Sequence, residues 1–152
     1  MKTFGPPFVS FSRNEYCHRV FYVTEADYRA HFIREYCFSP VLTFDAIPVT
    51  FLPSNFDHAF YKYGFSWPRA QRIDWIREVL QDPQADLHVG FDTYTYRYMD
   101  DRRVSMVNDS YVVVIALAAP NDAYFVTAYI ADGATPWNIR NSPLWSNRRV
   151  AR

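Results

Sequence analysis

From Leu87 to Ile130 polarity alternates with a period of two, and turn residues divide the stretch into short runs. Few arrangements other than neighbouring antiparallel strands bury one face of every run in such a pattern. The runs are Leu87–Phe91, Tyr94–Tyr98, Val104–Val107, Tyr111–Leu117 and Tyr124–Ile130, with turn material at Asp100-Asp101, Asn108-Asp109 and Pro120-Asn121-Asp122. Connections this short predict a meander, each strand paired with the next. Val112-Val113-Val114-Ile115-Ala116 is apolar on both faces and is assigned to the centre of the sheet.

A helix precedes the sheet. Ser66 is a good N-cap, Pro68 falls in the first turn where its missing N–H costs little, and Ala70, Ile73, Ile76 and Leu80 form an apolar stripe, so one helix is predicted over Ser66–Leu80 with Asp82-Pro83 ending it. Before it, Val49–Leu52 reads as a strand and Phe56–Lys62 as a short helix or turn. The texture differs ahead of residue 50: Phe8–Phe11 and Arg19–Val23 read as strands, and Tyr28, Phe32, Ile33 and Tyr36 recur at helical spacing between Glu25 and Tyr36. The fold class is therefore α+β, a helix on a twisted antiparallel meander. Residues 1–49 are an N-terminal α/β elaboration packed on it, 50–132 the core, and 133–152 an extended tail docked by Trp137 and Trp145.

Composition bounds the function. The chain has 152 residues, 49% hydrophobic and 19% aromatic, with 4 glycines, enough to bury a core without a metal or disulfide staple. Most of the aromatic surplus is assigned to packing, although Tyr and Trp also suit a surface that grips a ligand. Formal net charge is +0, which argues against a general nucleic-acid coat but leaves room for a site holding one or two phosphates. Cys17 and Cys37 lack metal-type spacing, the first residues carry no apolar signal run, and no stretch approaches the length of a membrane span. A reduced, cytoplasmic setting without membrane contact is expected, and the sequon at Asn108-Asp109-Ser110 is read as chance.

The succession Phe56-Asp57-His58-Ala59-Phe60-Tyr61, then Arg69-Ala70-Gln71-Arg72-Ile73-Asp74-Trp75-Ile76, then strands ending in Phe125-Val126-Thr127-Ala128-Tyr129-Ile130, resembles the phage-type members of the barnase/EndoU/colicin/RelE (BECR) nuclease superfamily. The resemblance spans residues 50–132 and lies in the order of short words. It implies RNA held on the concave face of the sheet and cut without metal, by attack of a ribose 2′-hydroxyl on the adjoining phosphate.

Such cleavage needs a proton acceptor, a proton donor and cations for the charge on phosphorus. His58 is the candidate acid/base, with Lys62 at i+4 on its face if the segment is helical, and Arg97 projecting from a strand. Thr127 completes the catalytic set. Tyr129, two residues on, shares its side of the last strand, and the resemblance has this Thr and Tyr orient phosphate and base. Arg69 and Arg72 in the early turns of the helix are candidate substrate contacts, as is His88 if it faces His58. The competing reading of each is ordinary: capping for His58, solvation for the arginines, β-propensity for Thr127 and Tyr129.

His18 and His31 are assigned structural roles, Asp100-Asp101 a charged turn, and Arg102 and Arg103 hairpin solvation. No metal or cofactor is expected, and neither a glycine-rich phosphate loop nor a Gly-x-Ser-x-Gly elbow occurs. The expected function is a metal-independent endoribonuclease acting as a phage or mobile-element toxin or effector, with RNA as substrate and an antitoxin or host protein as a further partner. The alternative is a nuclease-fold protein without catalysis that binds or inhibits a host factor; zero net charge and abundant Tyr, Trp and Arg motivate it.

Overall fold

The computed structural model describes residues 16–145. The predicted strand Phe8–Phe11 lies outside them. Helix α1 (Glu25–Tyr36) begins where Thr24 accepts a hydrogen bond from the Asp27 N–H, and it buries Tyr28, Phe32 and Tyr36 along one stripe. Arg19–Val23 is not a strand. That segment is tied to the helical layer instead, by Val20 N–H donating to the Gln71 carbonyl at 2.8 Å and the Tyr28 hydroxyl donating to the Val20 carbonyl at 2.7 Å.

The meander forms as β3 (Asp86–Asp92), β4 (Arg97–Val107), β5 (Tyr111–Ala119) and β6 (Asp122–Ile130), each antiparallel to the next. Two short strands extend it beyond β6. β2 (Pro48–Thr50) pairs parallel with β6, and β1 (Val41–Leu42) pairs antiparallel with β2, giving a 6-stranded order β1-β2-β6-β5-β4-β3. Fold class α+β holds, with one parallel pair that the alternating pattern did not foretell.

Two predicted strands merge. Tyr94–Tyr98 is no independent strand because the Asp92 carboxylate accepts from the Tyr94 N–H and the Thr95 hydroxyl, folding the chain into a tight turn that leaves Tyr96 at φ 59. The hairpin therefore closes at 93–96. Asp100-Asp101, read as a turn, lies inside β4.

The helix predicted over 66–80 is broken. Ser66 caps α3 (Trp67–Gln71), the chain tightens through Arg72–Asp74, and α4 (Trp75–Leu80) follows. Tertiary bonding holds the break open: the Tyr36 hydroxyl donates to the Ile73 carbonyl at 2.7 Å and the Tyr111 hydroxyl to that of Arg72 at 3.4 Å. The same carbonyls accept turn bonds from the Trp75 and Ile76 N–H groups at 2.9 and 3.4 Å, so each phenol adds a second donor to a carbonyl that has left the regular helix ladder.

Helices α1, α3 and α4, with α2 (Asn55–Phe60), cover one face of the sheet. Phe32, Phe51, Phe56, Phe60 and Phe125 meet there, with Phe51 stacked on Phe125 at 4.7 Å. Tyr28, Phe32, Tyr36, Val41, Ile47 and Val49 belong to that same cluster, so the described part of residues 1–49 shares one core with residues 50–132. A residue bulged out of β6 sets which side chains enter it. Val114 pairs with Thr127 but Ile115 with Phe125, so Val126 has no counterpart. This shift of one turns Phe125 into the core while Thr127 stays on the opposite face, although the two lie two residues apart.

The tail does not run extended throughout: residues 135–140 form α5 (Thr135–Arg140). Beyond it the chain lies along β3, with Val89 N–H donating to the Pro143 carbonyl and Trp145 N–H to that of Leu87. Trp137 stays 62% exposed and does not dock the tail. Among the described residues no helix is long and apolar enough to cross a membrane.

Candidate functional site

The face of the sheet turned away from α1–α4 carries Val104 and Met106 from β4, Val112 and Val114 from β5, and Thr127 and Tyr129 from β6. Helix α5 covers only one end of it. Ile139 packs against Met106 and Val112, and Arg140 bonds Asp109 at 2.7 Å. Between α5 and the β3–β4 hairpin the face remains open as a groove of about 750 Å³. Its walls include Phe91, Tyr96, Tyr98 and Trp137, and Thr127 and Tyr129 stand on its floor.

Among the described residues one cation lines this groove. Arg102 is placed there by a break in register: Val89 faces Arg103, but Gly90 faces Met99, which leaves Asp100, Asp101 and Arg102 without counterparts on β3. Gly90 makes the approach possible, since a Cβ at this position would lie 2.8 Å from that of Arg102. Arg102 Nε is sealed from solvent and has no hydrogen-bond partner among the described residues. Neighbouring Arg103 points to the other face and is fully buried there, bonded to Asp45 at 2.9 and 3.3 Å. Burial raises the Tyr129 hydroxyl above the usual phenol range, so it is a neutral donor.

No family model, curated protein or solved structure matches the chain at a significant level.

Of the residues expected to act together, Thr127 and Tyr129 do share the groove. His58 does not line it. Its helix α2 packs through Phe56, Ala59 and Phe60 on the opposite face, and the imidazole is exposed there. Lys62 is not at helical i+4 from His58, because the chain turns extended at Tyr61 and Lys62 donates its N–H to the Gly64 carbonyl in a tight loop. Arg97 is exposed at the mouth of the hairpin, opposite Asp92, and outside the lining. Arg69 is held by the Ala59 carbonyl at 3.1 Å and lies 6.0 Å from the Tyr129 ring, while Arg72 donates to the Pro68 carbonyl at 2.7 Å and lies over Trp75. His88 is buried, its Nδ1 3.1 Å from the Ser142 carbonyl, where it fixes the tail and does not face His58.

A second polar cluster links the helical layer. Asp74 lies 2.8 Å from His31 Nε2 and 3.4 Å from His18 Nε2, and the Tyr22 hydroxyl lies 2.9 Å from His31 Nδ1. The hydrogen bond from His31 holds the Asp74 carboxyl below its ordinary range. An ionised Asp74 puts the proton of a neutral His31 on Nε2 and leaves Nδ1 to accept from Tyr22. His31 thereby locks the segment before α1 to the turn between α3 and α4, which accords with a structural role.

Sequence reasoning gave Arg102 to hairpin solvation and Trp137 to docking of the tail, and named no site role for Tyr98. One signal for the first was present: a lone glycine inside a strand pattern, Gly90, marks a bulge or a close approach.

Proposed function

We propose that this protein is a binding module that grips a polypeptide partner in the groove on the open face of its sheet, without cutting RNA. The observation that carries the reading is the composition of the groove. Among the described residues its lining includes Phe91, Tyr96, Tyr98, Tyr129 and Trp137, with Met99 and one arginine, and contains no Lys, Asp, Glu, His or Cys. Aromatic residues, Met and Arg are enriched where proteins bind proteins, and Lys, Asp and Glu are depleted at the centres of such interfaces.

Cleavage through the ribose 2′-hydroxyl, which the nuclease resemblance implies, needs a proton acceptor beside the scissile phosphate, most often an imidazole or a carboxylate. The groove lining supplies neither, and His58 lies on a helix of the other face. RNA affinity also rests mainly on cations facing phosphates, and among the described residues this lining holds a single guanidinium. An open sheet face with that groove suits a protein that occupies a host factor. A reduced, cytoplasmic setting fits the two free thiols, Cys17 and Cys37.

The test is selection from a random peptide-display library on the wild-type protein and on a Tyr98→Ala/Trp137→Ala variant, with an oligoribonucleotide incubated in EDTA as the parallel arm. The reading expects peptides retained by the wild type and lost on the variant, with the RNA intact. RNA cleavage that disappears in His58→Ala would replace it with the enzymatic reading.

A further inference from the structure

We infer that Arg102 selects a carboxylate side chain on the partner, so that the segment seated in the groove carries Asp or Glu flanked by apolar or aromatic residues. This inference rests on the binding reading above and specifies its ligand.

Several other arginines among the described residues already hold acceptors, although Arg103 Nε is, like that of Arg102, buried without one. Arg29, Arg103 and Arg140 are ion-paired with Asp57, Asp45 and Asp109, and Arg69 and Arg72 donate to backbone carbonyls. Arg102 joins none of the ion pairs among the described residues, and its Nε is buried without an acceptor. A buried donor left unpaired is costly, and native structures seldom keep one without a use. The Asp92 carboxylate, which feels the Arg102 charge, is already committed to the Tyr94 N–H and the Thr95 hydroxyl.

The backbone is also built around this side chain. Gly90 leaves the space in which Arg102 sits, and the bulge of β4 turns it to the groove. Bulges commonly re-aim one side chain at a site. Tyr98 and Val114 line the same groove, and apolar walls strengthen a charge-assisted bond by excluding water. Thr127, on the floor, offers a hydroxyl as a second donor. Engaging Nε takes a rotation about the Arg102 side-chain torsions, a motion of the kind that side chains at open sites make freely.

Charge decides between a carboxylate and a nucleic-acid phosphate. A strand of RNA presents phosphates in series and needs several cations, whereas Arg102 is the one cation in the lining among the described residues, and Asp92, Asp100 and Asp101 share its hairpin. One carboxylate between apolar neighbours meets the guanidinium while those neighbours meet the rings.

The experiment is a double-mutant cycle on the peptides selected above, read by calorimetry or fluorescence anisotropy. Each peptide is compared with its Asp→Asn or Glu→Gln version on wild type and on Arg102→Gln, with Arg102→Lys as a variant that keeps the charge, and the melting curve of each variant confirms folding. The expected result is an acidic residue common to the peptides. Its conversion to the amide weakens binding by about 10-fold or more on wild type and by nearly nothing on Arg102→Gln. Peptides that bind the groove with no acidic residue, or with equal acid-to-amide losses on both proteins, overturn the carboxylate assignment and leave the binding reading standing. If no peptide depends on the groove, or an oligoribonucleotide competes for it, both fall.

Discussion

Gly90→Ala is the most informative single change in this sheet, because a methyl group there tests at once the bulge, the place of Arg102 and the groove they border. The added Cβ would lie 2.8 Å from Arg102 Cβ, 3.6 Å from a Val104 methyl and 3.7 Å from Arg102 Cγ. Carbon atoms rest at about 3.5–4.0 Å, so the first contact falls short by roughly 0.7 Å. Arg102 Cβ is fixed to the backbone and cannot swing aside, so β3 and β4 must separate. Overpacking of this kind costs about 1–3 kcal/mol, offset by the roughly 0.5–1 kcal/mol that Ala gains over Gly in a strand interior. The net is roughly 0–2.5 kcal/mol, centred a little above 1 kcal/mol, where Tm falls by about 2–5 °C for a chain of this size. Differential scanning calorimetry reads the stability, and titration with a groove-selected peptide reads the site. Both should drop. Gly64→Ala is the control: at φ +113 with nothing within 4 Å of a Cβ, it strains the α2–α3 loop and should lower Tm while leaving peptide affinity unchanged. Wild-type Tm and wild-type affinity in Gly90→Ala would refute the account of how Arg102 is placed.

The Asp45–Arg103 pair should behave asymmetrically, since Arg103 is 0% exposed. Asp45→Ala strands a buried cation and should cost about 3 kcal/mol in urea unfolding, whereas Arg103→Met removes the charge with its partner's need for it and should cost far less. The pH dependence follows from two depressed carboxyls. For Asp45, burial alone would raise the value, but hydrogen bonds from Arg103 and Thr43 outweigh it, and for Asp74 the bond from His31 lowers it. Unfolded aspartate titrates near about 3.9, so the unfolded chain binds more protons below that value, and the stability from these groups is present above about pH 4 and lost as pH falls through their folded values. The unfolding-energy gap between wild type and Asp74→Asn should therefore shrink on acidification from pH 6 to 3, and a constant gap would contradict the sign. His58→Ala, at an exposed position, should leave stability within about 0.5 kcal/mol and peptide affinity unchanged.

The sheet was legible because its cause is local: alternation from 87 to 130 and turn residues between the runs dictate which segments pair. Where the structure departs from that pattern, a distant partner overrides a local preference. Ser66 and Pro68 do start a helix, but phenols of Tyr36 and Tyr111 hold open the break at Arg72–Asp74, and nothing near residue 72 announces them. Tyr94–Tyr98 has strand-like residues, yet the Asp92 carboxylate captures the backbone at Tyr94 and leaves only Arg97 and Tyr98 to pair, as the start of β4. The parallel contact of β2 with β6 joins segments far apart in sequence and leaves no periodic trace. For the site, Thr127 and Tyr129 were found by spacing on one strand, and even that depends on the bulge at Val126, which keeps Phe125 off their face. His58 was chosen for its chemistry, and chemistry alone cannot say which side of a sheet a helix will cover. Arg102 looked like hairpin solvation because its role comes from a register break against Gly90.

The central claim is that the open face of the sheet, and not the helical face bearing His58, meets the partner. The chain has 4 tryptophans, and their indole N–H signals sample both faces: Trp67 and Trp75 begin α3 and α4, Trp137 lines the groove and Trp145 lies against β3. A ¹⁵N–¹H titration with a groove-selected peptide should move the Trp137 signal first and furthest, leaving Trp67 and Trp75 in place. Movement of Trp67 with Trp137 unchanged would put the binding surface on the other side of the molecule and contradict the account.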